Sequence, residues 1–290
     1  MLNTKQILKA MIPTPILIAA KEQVNNVGYH IWKYRLKEDP ILDEPIFMIG
    51  CPRSGTSISV RLFATHHWVA NWSEAGQIWD PTGYYDPDAE HCWGSEMVTK
   101  EAAKRLHSKF EWYRQTHNKR RFVNKHPRNS VRIEYIREVF PDALFVHVIR
   151  DGRAVVNSIL KRIQQEPRRQ KIPFGGFCKP PNWRQHLRDD PVEQVALQWR
   201  EIVRYILGKK EELGTRYCEF KYEDLCLMPR DVISSAFEFA GLPASDEFLS
   251  RIPISLENMN YKYEEEFSPA QIDTINTIQK DLLRVLGYVL

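Results

Sequence analysis

The chain has 290 residues, with 41 Lys and Arg against 37 Asp and Glu and a formal charge of +4. At 43% apolar and 27% charged it is a globular chain, long enough to bury a core as one domain with a small appendage, and its composition excludes disorder. The small net charge gives no reason to expect nucleic acid as a partner, and five scattered cysteines exclude a disulfide framework.

Residues 1–44 are expected to form a helical or extended segment flanking the core, and residues 45–290 a single domain. The run Ile12–Ala20 is broken by Pro13 and Pro15 and is shorter than the roughly twenty apolar residues a span requires. No small-residue cleavage site marks a signal peptide. A cytoplasmic protein without a transmembrane segment is therefore expected, with peripheral membrane contact by residues 1–20 and homodimer formation left open.

Pro45 to Gly50 reads as a buried strand, and Cys51-Pro52-Arg53-Ser54-Gly55-Thr56-Ser57 follows it directly. A strand, a small-residue turn and then a helix, here Thr56 to about Thr65, aim backbone N–H groups at one point and favour an anion there. The stretch nearly spells a Walker loop, but Thr56-Ser57 stands where Lys-Ser/Thr belongs and the positive charge sits earlier, on Arg53. Cys51 resembles a phosphatase nucleophile only superficially, because Ser57 occupies the position of the arginine such a loop needs; it reads as a small packed residue.

Phe122–Asn124 predicts a short strand ending at Lys125. Asn129 can cap a helix running to about Phe140, and Ala143–Ile149 is a continuous apolar run suited to a strand covered on both faces. After Arg150-Asp151-Gly152 a helix runs through Ser158 to about Ile163, with Arg153 placed as a solvated residue at its start. Asp190-Pro191-Val192-Glu193 opens another helix that stops near Gly214. A strand at Tyr217–Tyr222, a helix from Pro229 to Gly241 and a last helix from Ser268-Pro269-Ala270-Gln271 complete the chain. Strands alternating with helices imply an α/β fold, a mainly parallel sheet flanked by helices, with ligands at the carboxyl ends of the strands. Arg53, Lys125, Arg150 and Tyr222 then lie along one rim.

Two long irregular stretches, Trp68–Trp93 and Gln164–Arg188, are candidates for the walls of an acceptor pocket. The basic runs around Lys119–Arg121 and Lys161–Lys171 read first as solvated faces. His66-His67 and His91-Cys92 match no metal spacing, so no metal is assigned. Trp183 and Trp199 read as core.

Arg150 ends a strand and Ser158 lies eight residues on. With the Cys51–Ser57 loop, this pairing resembles the sulfotransferases that use 3′-phosphoadenosine 5′-phosphosulfate (PAPS). In that family a P-R/K-S-G-T-S/T loop holds the 5′-phosphosulfate, and a strand-end Arg with a Ser eight residues on holds the 3′-phosphate. Asn124-Lys125-His126-Pro127, Phe140-Pro141-Asp142-Ala143 and Val148–Arg153 are similar to the tyrosylprotein sulfotransferase branch and its bacterial relatives. Phe220–Leu225 resembles the family's Y-E-D-L segment, whose tyrosine lies by the adenine. The likeness covers roughly residues 45 to 245.

The resemblance implies a P-loop-containing, sulfotransferase-like fold and transfer of a sulfuryl group from PAPS to a hydroxyl acceptor (a peptide tyrosine, a carbohydrate or a small alcohol or phenol), with no metal. It implies donor contacts from Arg53, Ser54, Gly55, Thr56, Ser57, Arg150, Ser158 and Tyr222, and from Lys262 if that residue belongs to the C-terminal segment covering the nucleotide. Arg53 and Lys125 would face the sulfonate and the bridging oxygen. Glu74, twenty-one residues past the loop arginine, stands where that branch has its catalytic glutamate. His126 competes with it as general base, although an extended chain should turn His126 away from the target of Lys125. Two other readings stay open: a P-loop phosphotransferase or nucleotide kinase with Asp151 on magnesium, which the missing loop lysine opposes, and a catalytically silent nucleotide-binding protein.

Overall fold

The computed structural model describes residues 27–81, 83–84 and 86–289; the run Ile12–Ala20 lies outside them. Five strands, β1 (Ile46–Ile49), β2 (Val69–Asn71), β3 (Arg121–Asn124), β4 (Leu144–Ile149) and β5 (Tyr217–Lys221), form one sheet in the order β2-β3-β1-β4-β5. Every pairing is parallel, with Ile46 opposite both Val123 and Leu144. The central strand β1 is buried along its whole length, so its uninterrupted apolar sequence is what a doubly covered strand needs.

Alternate residues of β1 feed two cores. Phe47 and Ile49 face one cluster with Phe122 and Phe145, while Ile46 and Met48 face the other with Val123, Val146 and Val148. The first cluster is closed by α2 (Lys100–Thr116), α3 (Ile133–Val139), α4 (Gly152–Gln165), α5 (Pro191–Gly208) and α9 (Pro269–Val285). The second is closed by α1 (Thr56–Phe63), α6 (Tyr222–Leu227) and α7 (Pro229–Phe239). A short helix, α8 (Lys262–Glu266), packs beside α4. Phe47 sits among Trp79, Phe140 and Phe145 at centroid separations of 5.6–5.9 Å, anchoring the strand that carries the loop. Burial of one such ring contributes about 1.5–3 kcal/mol.

The expected caps are present at two helices. Asp190 accepts from Val192 N at the start of α5, and Ser268 with Gln271 forms a capping box on α9. Trp183, Trp199 and Cys51 are core residues, as expected.

Other expectations need correction. Asn129 does not cap a helix: its side chain is buried and donates to Asn124 Oδ1 at 2.8 Å. Residues Pro127–Val131 form a 3-10 turn capped by His126, and α3 starts only at Ile133. Arg153 is not a solvated residue; it is buried, pairs with Asp151 at 2.7 Å and lies over the Tyr263 ring. The stretch Trp68–Trp93 is not wholly irregular, because it contains the edge strand β2. The helices α2 and α6 are further elements that the sequence reading does not contain. Residues 27–34 are helical and dock Tyr29 edge-on against Trp112 of α2.

Candidate active site

The strand order arranges the functional residues. Reading across the rim from β2 to β5, the chain places Glu74 just past β2, Lys125 at the end of β3, Arg53 in the loop after β1, Arg150 at the end of β4 and Tyr222 at the end of β5. A cleft of about 750 Å³ opens over this rim. It is lined by Arg53, Gly55, Thr56, Ser57, Glu74, Lys125, His126, Arg150, Ser158, Tyr222 and Lys262. Ser54 alone of the residues named from the sequence lies behind the lining.

The loop after β1 has little freedom. Gly50 has φ +151, and a Cβ there would stand 2.5 Å from Val148 O; its N–H donates to Ser130 Oγ at 3.0 Å while that hydroxyl donates back to Gly50 O at 2.8 Å. Arg53 is held at φ 72 and Gly55 at φ 94, where a Cβ would meet the Tyr222 ring. Gly55 gives α1 no side-chain cap, so the first-turn amides and the helix dipole are turned to the cleft. Beneath them Ser54 is buried, and its Oγ has no hydrogen-bond partner. An orphaned hydroxyl under a helix N-terminus is the kind of group an oxyanion satisfies.

Two elements far apart in sequence meet at this loop. Arg53 Nε donates to Ser158 Oγ on α4 at 3.0 Å. Arg150 donates from Nη1 to Arg53 O and from Nε to Asn260 Oδ1, each at 2.9 Å, with its guanidinium 4.3 Å from the Tyr222 ring centroid. Glu223 fixes that arrangement by accepting from Asn260 Nδ2, Asp151 N and Tyr288 OH. Burial, and then the charges of Arg150, Arg162 and Arg169, pull the Arg53 pKa down. The crowding of cations is a demand for an anion.

On the β2–β3 side, Lys125 is buried and its Nζ lies 2.6 Å from Glu74 Oε1, while Glu74 N donates to Lys125 O at 2.7 Å. Glu74 is exposed and held at φ 57. His126 is also among the residues lining the cleft, with its ring buried and 5.7 Å from that of Tyr84. Its Nδ1 accepts from Arg128 N at 3.2 Å, and burial followed by the charges of Arg132, Arg128 and Lys125 holds its pKa well below the usual value. It is a neutral imidazole committed to a turn.

Both long stretches wall the cleft: Glu74 and Tyr84 come from the first, and Gln165, Arg169, Gly176, Phe177 and Cys178 from the second. The sequence reading missed Tyr84, Arg128, Asn260, Arg162 and Arg169 as site residues. The basic run around Lys161 was the available signal for the last two: it is a largely exposed face, as read from the sequence, of which Lys161, Arg162 and Arg169 border the cleft. The run Lys119–Arg121, by contrast, is used structurally: Lys119 donates to His67 O and Arg121 pairs with Glu44. Asp151, read from sequence as the alternative magnesium ligand, is buried and accepts from Arg153 through both its oxygens. Among the described residues no cluster of three His, Cys, Asp or Glu could hold a metal ion, and no helix is long and apolar enough to cross a membrane.

A parallel sheet whose central strand runs through a tight anion-seeking loop into a helix has the architecture of the P-loop-like class. The model of the sulfotransferase family matches residues 45–246, and the chain belongs to that family. It is an enzyme of sulfuryl transfer. It is 28% identical over 271 residues to a protein-tyrosine sulfotransferase A of Caenorhabditis elegans, covering 84% of this chain and 67% of the relative. It is 23% identical over 276 residues to the omega-hydroxy-beta-dihydromenaquinone-9 sulfotransferase Stf3 of Mycobacterium bovis, covering 75% and 68%. The crystal structure of sulfotransferase STF9 from Mycobacterium avium superposes with a TM-score of 0.59 at 18% identity, covering 91% of this chain and 82% of that one, and so shares the fold.

Proposed function

We propose that the donor is PAPS and that the cleft divides along the strand order, with the donor over β1, β4 and β5 and the hydroxyl acceptor over β2 and β3. The observation that carries this reading is the meeting of the Cys51–Ser57 loop with α4, where Arg53 reaches Ser158 and Arg150 reaches back to Arg53 O. Two anion-seeking groups on separate elements suit a nucleotide with a phosphate at each end. Thr56, Ser57 and the α1 amides, backed by the buried Ser54, hold the 5′ end, Arg150 and Ser158 the 3′-phosphate, and Tyr222 with Lys262 flanks the base side.

In the transfer, the bond between sulfur and the bridging phosphate oxygen breaks as a bond from sulfur to the acceptor oxygen forms. Lys125 and Arg53 neutralise the charge growing on the departing oxygen. Glu74 takes the acceptor's proton: with Oε1 on Lys125, Oε2 is the oxygen that meets the hydroxyl. His126, neutral and bonded to the turn, positions Arg128 and the β3 end. The two relatives act, by their names, on a protein tyrosine and on a menaquinone alcohol, so a phenol or an alcohol is the acceptor class. The cysteines of the chain are free, which fits a reducing compartment, and we place the protein in the cytoplasm; cell fractionation checks that placement.

The donor is tested by nucleotide binding without magnesium. 3′,5′-ADP should bind at least about 100-fold more tightly than ATP, and Arg150→Ala should weaken 3′,5′-ADP by about 10- to 100-fold. Equal affinity for the two nucleotides, or a normal constant in the variant, overturns the assignment of the 3′-phosphate site. Transfer of radiolabelled sulfate from PAPS to pooled phenols and alcohols reads the activity itself.

A further inference from the structure

We infer that the acceptor carries an oxyanion, a carboxylate or phosphate beside its reacting hydroxyl, and that Arg128 binds it. This rests on the donor assignment above and adds a substrate class to the same cleft.

A second hollow of about 220 Å³ adjoins the cleft, and Tyr84, Arg128 and Gly176 line both spaces. Tyr84 is fixed from below, because its ring fills the place a Cβ on Gly76 would take, just past Glu74. Its ring lies 5.7 Å from that of His126, and the Arg128 guanidinium sits 4.7 Å above it. Through the Tyr84 ring Arg128 thus adjoins Gly76 and His126, close neighbours in sequence of Glu74 and Lys125. Its Nη2 donates to Tyr84 O at 2.8 Å, while Nη1 is buried without a hydrogen-bond partner. A buried guanidinium N–H left unpaired is costly unless a ligand completes it.

The charges of the cleft point the same way. Several of its cations already have carboxylates: Lys125 has Glu74, Lys161 has Glu266, and Arg162 and Arg169 share Glu166. Arg53, Arg150 and Lys262 lie on the donor half, where PAPS brings about four negative charges at pH 7. Arg128 lies in the turn just past β3, on the far side of β1 from the Arg150 strand β4, in the half of the cleft assigned to the acceptor. Beside it in the hollow Lys179 is buried on Pro87 O and Ala89 O; Asp80 faces Arg128, and Glu90 and Asp88 face Lys179. The hollow's carboxylate, Asp86, is exposed and turned to its own loop by the bond from Asp88 N. An arginine fork beside a small basic hollow recognises a carboxylate or phosphate by geometry as well as charge.

The experiment uses the full chain saturated with 3′,5′-ADP, titrated calorimetrically with two probe pairs: 4-hydroxyphenylacetate against its amide, and methyl glucuronoside against methyl glucoside. At least one acid should bind about tenfold or more tightly than its neutral counterpart. Arg128→Gln should remove that preference and leave 3′,5′-ADP affinity unchanged, whereas Arg128→Lys should retain part of it. Equal binding of acid and neutral probe in both pairs, no measurable binding of either acid, or a preference that survives Arg128→Gln overturns the inference. Should Arg128→Gln instead weaken 3′,5′-ADP, the arginine belongs to the donor site and the inference falls. If wild-type protein fails to bind 3′,5′-ADP at all, the donor reading has failed first and takes this inference with it.

Discussion

In the proposed transfer Lys125 and Glu74 divide one task between a buried cation and an exposed carboxylate 2.6 Å apart. Removing the cation should slow the departure of the nucleotide, so Lys125→Ala is expected to lower kcat by about 10²-fold or more while the circular dichroism melt stays in place. Glu74→Gln keeps the shape and loses the base; kcat should fall about 10²- to 10⁴-fold, and the acidic limb of the pH–rate profile should flatten. The opposite pattern, with His126→Ala flattening that limb and Glu74→Gln leaving it, would reassign the base. Arg53, Lys125 and Arg150 were legible in the sequence because a strand end is visible as the point where an apolar run meets a charge. Glu74 was legible only through family resemblance, since nothing local distinguishes it from a surface carboxylate. Arg128 and Tyr84 were not legible at all, because their meaning comes from a contact forty-four residues apart in the chain.

At the level of elements, the β1 loop is held in place by backbone packing more than by side chains. Gly50→Ala would set a Cβ 2.5 Å from the Val148 carbonyl of the neighbouring strand at φ +151. It should lower stability by about 2 kcal/mol or more, read as a lower urea midpoint. Gly208→Ala, near the end of α5 with nothing within 4 Å of its Cβ, should instead leave the midpoint unchanged or raise it. If both substitutions behave alike, the close approach of β1 and β4 is not what fixes the loop. The strands β1 and β4 were readable because burial on both faces demands a solid apolar run. The edge strand β2 is three residues long and carries no periodicity to detect. Asn129 misled for a physical reason: the side-chain chemistry that caps a helix also ties down a buried strand end, and here Asn124 claims it.

For the molecule as a whole, His91, His126 and His147, three of the four buried histidines, weigh on the behaviour in acid. Burial holds His91 at about 2 and His147 at about 3, and pushes His126 in the same direction. Each is neutral in the folded protein, whereas the unfolded chain takes up a proton near pH 6.5. Below that pH the unfolded state binds more protons, so stability falls as pH falls, by about 1.4 kcal/mol per histidine at pH 5.5. Urea melts at pH 7.5 and 5.5 check this, and an unchanged midpoint would contradict it. The bonds that meet at Glu223 give a different kind of dependence. Tyr288, beyond the last helix, steadies the carboxylate that steadies Asn260, and Asn260 aims Arg150. A lesion near the tail would therefore disturb a guanidinium remote from it in sequence, and would show as poorer nucleotide retention in a protein whose melt is otherwise ordinary.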